Sequence, residues 1–135
     1  SKASHVHCCE WNQQAINALK WNLQRNGVEG RCTIHEGDNR QAAIKLGGIS
    51  DRVILGLLPS AEGSFEAALG VLKKSGGALH VHGLARPDSH EDWSEEITAN
   101  LRSIRPDSDF VVTELVRVKS YAPRWDHMVL DIDVN

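Results

Sequence analysis

Short apolar runs alternate with stripes at helical spacing from Val6 to Ile104, and two β-rich runs then follow with no helix between them. No other feature constrains the fold as tightly. A parallel neighbour can be reached only by a crossover, and the usual crossover is a helix. Strand-helix alternation therefore predicts a parallel sheet covered by helices on both faces. A final strand pair on a short link predicts an antiparallel edge.

The punctuation fits that order. Val6-His7-Cys8-Cys9 reads as a short strand ending at Glu10. The stretch from Asn12 to Asn26 reads as a helix striped by Ile16, Leu19 and Leu23, with Asn26-Gly27 as its stop. Arg31 to His35 is a second strand, Glu36 to Arg40 a turn, and a short helix runs to Leu46 before Gly47-Gly48. Arg52 to Leu58 is nearly all apolar, which predicts a strand covered on both faces and ended by Pro59-Ser60. Phe65, Ala68, Leu69 and Leu72 mark a helix that Gly76-Gly77 breaks. Ala78 to His82 is the next strand. Ser89 and Asp92 have capping-box spacing ahead of a stripe at Trp93, Ile97, Leu101 and Ile104. Phe110 to Val118 and His127 to Val134 are the closing strands, linked by Lys119 to Asp126.

At 135 residues, 41% hydrophobic and 24% charged, the chain amounts to one globular domain, and no linker or repeat divides it. Fifteen basic residues against 18 acidic ones give a net charge of -3, without the basic footprint of a free-standing nucleic-acid binder. Any RNA contact must rest on a local patch or on other parts of a longer protein. Cys8, Cys9 and Cys32 are odd in number and lack CxxC spacing, which suits free thiols in a reducing cytoplasm. Cys8 and Cys9 point to opposite faces of a strand and read as small strand residues. No apolar run reaches a membrane span of roughly 20 residues.

Ligands of open parallel sheets bind beyond the carboxyl ends of the strands. Glu10, Asp38-Asn39, Leu58-Pro59-Ser60 and His82 are expected there, along one edge. A carboxylate at a strand end can grip both hydroxyls of a ribose, which suits Glu10. Asp38-Asn39 can read the amino edge of an adenine. Singly, a Glu ahead of a helix is an N-terminal charge and an Asp-Asn pair a turn. On consecutive strand ends they point to a nucleoside. No GxGxxG is present, and Ser1-Lys2-Ala3-Ser4 leads into a strand with neither cap nor methionine. A preceding strand, central in the sheet, and its glycine loop are therefore expected upstream, and without them Val6 and Val53 each lack a ladder neighbour. His80 and His82 share a strand face but have no third ligand, so no metal is expected. Lys119, Tyr121, Arg124 and Trp125 mix cations with aromatics, as either an RNA contact or a solvated loop would.

His5-Val6-His7-Cys8-Cys9-Glu10-Trp11-Asn12, Ala18-Leu19-Lys20-Trp21-Asn22-Leu23 and Asn26-Gly27-Val28 resemble one stretch of the tRNA wybutosine-synthesising protein 2 family. His35 to Arg40, Asp51 to Ser60, Gly76-Gly77 with Leu79 to His82, and Val118 to Pro123 with Asp126-His127 and Val129 to Asp131 follow in that family's order. The resemblance implies a Rossmann-like class I S-adenosylmethionine-dependent methyltransferase fold: α/β, mostly parallel, with an antiparallel edge strand and the first strand missing. It implies transfer of the 3-amino-3-carboxypropyl group of S-adenosylmethionine to carbon 7 of 4-demethylwyosine, at position 37 of phenylalanine tRNA, with methylthioadenosine released. Glu10 would hold the ribose, and Asp38 with Asn39 the adenine. Pro59, Lys119, Tyr121 and Arg124 would meet the anticodon loop. A cytoplasmic monomer is expected.

The sister tRNA guanine-37 N1-methyltransferases carry an Asn-Leu-Pro type motif at the fourth strand. Gly56-Leu57-Leu58-Pro59 lacks the Asn, which favours the aminocarboxypropyl branch. Methyl transfer remains the alternative, and a non-catalytic nucleoside-binding or interaction fragment is the reading from another class.

Overall fold

The computed structural model describes residues 3–135; Ser1-Lys2, the start of the abrupt lead-in, lie outside the described residues. Contacts divide the chain into two compact units, one up to residue 45 and one from residue 46.

In the first unit, strand β1 (Val6–Glu10) pairs in parallel with β2 (Cys32–Glu36), from Val6 opposite Cys32 to Glu10 opposite Glu36. Helix α1 (Gln13–Arg25) is the crossover. The Asn12 side chain opens it by accepting the N–H groups of Gln14 at 2.9 Å and Ala15 at 3.2 Å. Past Asn26, Gly27 turns at φ +62, and Val28 N–H donates to Leu23 O at 3.0 Å. Ile16 is buried, whereas Trp11 and Trp21 stay exposed. A single helical turn at Glu29–Arg31 precedes β2. Helix α2 (Asn39–Leu46) begins inside the stretch expected to be a turn.

In the second unit, β3 (Arg52–Leu55), β4 (Gly77–Ala85), β6 (Trp125–Val134) and β5 (Phe110–Ala122) form a sheet in that lateral order. β3 and β4 are parallel, while β4–β6 and β6–β5 are antiparallel. β6 thus slots between β4 and β5, and β5 becomes the antiparallel edge. Helices α3 (Phe65–Val71) and α4 (His90–Ile104) pack on one face of this sheet. Phe65, Leu69, Leu72, Ile97 and Leu101 meet Leu79, Val81, Leu130, Ile132 and Val134 there. Among the described residues no helix is long and apolar enough to cross a membrane.

Four expectations need correction. β3 stops at Leu55, and Ile54 is 67% exposed. The run to Leu58 is apolar, but Gly56 and Leu57 have left the ladder, and burial within β3 alternates instead of covering both faces. β4 continues to Ala85, so His82 lies inside the strand and not at its end. Its Nδ1 is 2.9 Å from His127 Nε2 on β6, a cross-strand pair. The capping box at Ser89 does not form: the Ser89 hydroxyl donates to Asp88 at 3.4 Å and makes no cap bond to the α4 backbone. The final link is two residues, Pro123-Arg124, because β5 runs on past Val118 to Ala122 and β6 starts at Trp125.

Candidate functional site

Parallel pairing brings Glu10 and Asp38 to the same end of the first unit. The register sets Glu10 opposite Glu36, and Gly37 N–H donates to Glu10 O at 2.9 Å. Gly37 makes that turn at φ +114, where a side chain would be strained. Asp38 follows at once. Two carboxylates and the start of α2 therefore lie side by side beyond the strand ends.

Each carboxylate is already oriented. Glu10 Oε1 accepts the backbone N–H groups of Trp11 and Asn12, both at 2.8 Å, which sets the carboxylate against the start of α1. Asp38 is gripped by Arg40. Oδ1 accepts Arg40 N–H at 2.9 Å and Nε at 3.0 Å, and Oδ2 accepts Nη2 at 2.6 Å. The Arg40 side chain, beyond its helix-start position, holds the Asp38 carboxyl down to about 2. Asp38 is thus a permanent anion at neutral pH. Asn39 begins α2 beside it. As acceptors for hydroxyls or an exocyclic amine, the two carboxylates have the chemistry to hold a nucleoside.

The strand face carrying Cys9 also carries His7, 3.0 Å from His35, while Cys8 lies on the opposite face. Desolvation raises the thiols of Cys8 and Cys9 above their ordinary range, which favours the protonated form of both.

The second unit has its own carboxyl edge. Pro59 O accepts Leu84 N–H at 3.2 Å, beside the end of β4. Across β4, Leu84 opposes His127 and Ala85 opposes Asp126; across β6, His127 opposes Lys119. Pro59, Lys119 and the β5–β6 turn therefore share one edge. Tyr121 sits at a ladder irregularity near the turn, 53% exposed. His80 does not reach this edge. Its Nδ1 lies 2.6 Å from Asp131, and its Nε2 contacts Arg52, a lateral chain through β3, β4 and β6.

The turn is anchored from beneath. Asp126 is buried, and it accepts Arg117 Nε at 2.9 Å and pairs with His90 of α4 at 3.0 Å. Arg117, and then His90, hold the Asp126 carboxyl below its ordinary range. Above this anchor, Pro123-Arg124 makes the reversal with Arg124 at φ +67. Proline followed by a positive-φ residue is the order of a type II turn, whose second position favours glycine. A left-handed arginine costs about 1–2 kcal/mol.

Three residues of this edge, Arg86, Pro87 and Asp88, escaped the sequence reading. Arg86 follows β4, with its guanidinium 5.9 Å from the centre of the Trp125 ring. Asp88 joins Arg86, Pro87 and Arg124 around a cavity of about 420 Å³. Only the β4–β6 register brings residues 86 to 88 to the turn, and no local motif signals it.

Residues 1–102 match the family model described as the TRM5/TYW2 methyltransferase domain. The tRNA wybutosine-synthesizing protein 2/3/4 of Arabidopsis thaliana is 45% identical over 136 residues, covering 98% of this chain and 14% of that protein. The tRNA wybutosine-synthesizing protein 2 homolog of Danio rerio is 35% identical over 168 residues, covering 98% and 41%. The chain therefore spans less than half the length of either relative. The solved structure of P. horikoshii TYW2 in complex with MeSAdo superposes with a TM-score of 0.83 at 25% identity, covering 96% of this chain and 48% of that one. The α/β architecture is thus the Rossmann-like fold of class I S-adenosylmethionine-dependent transferases.

Proposed function

The chain belongs to the TRM5/TYW2 methyltransferase domain family, and on that premise we propose that its parent protein is a tRNA aminocarboxypropyltransferase. It moves the 3-amino-3-carboxypropyl group of S-adenosylmethionine to carbon 7 of 4-demethylwyosine at position 37 of phenylalanine tRNA. The reading treats residues 1–135 as part of one transferase domain of a cytoplasmic monomer. The family model supports one domain over residues 1–102, which take in the first unit and the second as far as α4.

The observation that carries the reading is the pair of pre-oriented carboxylates beyond adjacent parallel strands, Glu10 and Asp38. Glu10 accepts the two ribose hydroxyls. Asp38 takes the adenine amino group while Asn39 offers its backbone at the start of α2. Pro59 borders the acceptor base, and Lys119, Tyr121 and Arg124 meet the RNA around it. When bound, the sulfonium would supply an electrophilic carbon whose bond to sulfur breaks as carbon 7 attacks, with methylthioadenosine leaving and the carbon 7 proton lost to solvent. The chain's own contribution is orientation, which selects the carbon presented to the nucleophile. The wybutosine-synthesizing names of the relatives that match 98% of the chain support the aminocarboxypropyl branch. So does the MeSAdo bound by the P. horikoshii neighbour, a methylthio nucleoside of the kind this transfer releases.

The alternative, methyl transfer to guanine 37, belongs to the other branch that the matched family model names, and the wybutosine-synthesizing names of the relatives do not favour it. Product analysis separates them. The gene product incubated with S-adenosylmethionine and hypomodified phenylalanine tRNA is expected to release methylthioadenosine, and Glu10→Gln to slow that release at least tenfold. Release of S-adenosylhomocysteine would sink the aminocarboxypropyl reading.

A further inference from the structure

We propose that the cavity between the β4–α4 loop and the β5–β6 turn is an RNA backbone site, in which Arg86 and Arg124 hold a phosphodiester of the acceptor strand. This deepens the transferase reading and rests on its RNA acceptor. Four observations carry it. First, the cavity, about 420 Å³, is lined by Arg86, Pro87, Asp88 and Arg124, on a chain whose net charge is -3. Two guanidiniums against one carboxylate leave it locally positive. Guanidinium forks match phosphate oxygens in pairs. Second, Arg86 is oriented by Trp125, its guanidinium 5.9 Å from the ring centre. Trp125 is 41% exposed, which leaves ring surface for a base to stack on.

Third, Arg124 occupies the turn position at φ +67, where glycine would sit without strain. An unfavourable conformation at the rim of a cavity points to a role for the side chain that adopts it. Fourth, the neighbouring cation is otherwise engaged. Arg117 is tied to Asp126 and does not line the cavity, whose arginines are Arg86 and Arg124. The cavity lies on the edge that carries Pro59, next to the expected acceptor base.

Glycine at 124 separates function from folding. Fluorescence anisotropy of a labelled RNA stem-loop is measured on the complete gene product across a salt series, together with the melting temperature. Arg124→Gly is expected to raise the melting temperature by a few degrees and to weaken RNA binding roughly tenfold. It should also make the salt dependence shallower by about 0.7–1 in log-log slope, one phosphate contact. Arg86→Ala should weaken binding similarly without raising the melting temperature. If both variants bind the stem-loop as the wild type does, with the same slope, the site assignment is overturned and the transferase reading stands on its product assay. If the wild-type gene product does not bind the stem-loop at all, the assignment also falls. A polyglutamate peptide serves as competitor. If it displaces RNA at equal charge concentration, the patch takes acidic polymers in general, and the RNA assignment fails.

Discussion

At the scale of single residues, the chain spends its charges in tight local pairs. Arg40 on Asp38, Arg117 and His90 on Asp126, and Lys20 on Glu36 at 2.6 Å each fix one carboxylate. The histidines behave differently. Burial lowers the pKa of His82, and the nearby His127 and His80 lower it further, against the opposing pull of Asp131. Arg52 contacts His80, and Lys119 lies opposite His127 in the ladder. Burial, then His5 and His35, likewise lower His7. With folded values below the ordinary 6.5, the unfolded chain binds more protons just under that pH, and stability falls as the medium is acidified through it. Asp38 and Asp126 act elsewhere: their depressed values protect stability until the pH drops below the ordinary carboxylate range. Urea midpoints are therefore expected to be lower at pH 5.5 than at pH 7.5, and His7→Asn with His82→Asn should flatten most of that difference. An unchanged difference in the double variant would remove the histidines as its cause.

At the scale of elements, close approach decides which helix lies where. Gly83 faces Trp93 of α4, and a Cβ there would come within 2.5 Å of the indole. The absence of a side chain lets α4 settle on β4. Gly83→Ala is expected to cost about 1–3 kcal/mol in chemical denaturation, the usual overpacking range. Gly83→Ala with Trp93→Leu should recover part of it, and a double variant no better than the single would show that the clash is not the cause. Much at this scale was legible in the sequence. Periodicity located α1, α3 and α4, and the β-rich runs located the closing pair. Composition misled at Gly56-Leu57-Leu58, where an apolar run leaves the sheet and Leu57 is 59% exposed. The site was half legible. Glu10 and Asp38 sit at strand ends that a local reading can find. Arg86 reaches the turn only through the pairing of Ala85 with Asp126, a long-range register that no spacing announces.

At the scale of the whole molecule, the two units differ in how their strands are supported. β1 and β2 form a two-stranded ribbon, a form that is marginal without further packing. β6 is bonded on both sides, and Met128, Leu130, Ile132 and Val134 along it are almost fully buried. Amide exchange followed by NMR is expected to be slowest in β6 and β4, and faster by orders of magnitude in β1 and β2. Equal protection in the two sheets would contradict this ranking.

The insertion of β6 between β4 and β5 also bears on how the chain is made. A ribosome adds roughly 5–20 residues per second and releases β5 before the strand that β5 must pair with. Until Trp125 to Val134 emerge, β4 presents a bare hydrogen-bonding edge, and Leu79 and Val81 lack their partners Ile132 and Leu130. The sheet of the second unit therefore closes only once β6 has emerged. An mRNA truncated before the codon for Trp125 would yield a sticky nascent product, a substrate for chaperones and quality control and not a smaller folded protein.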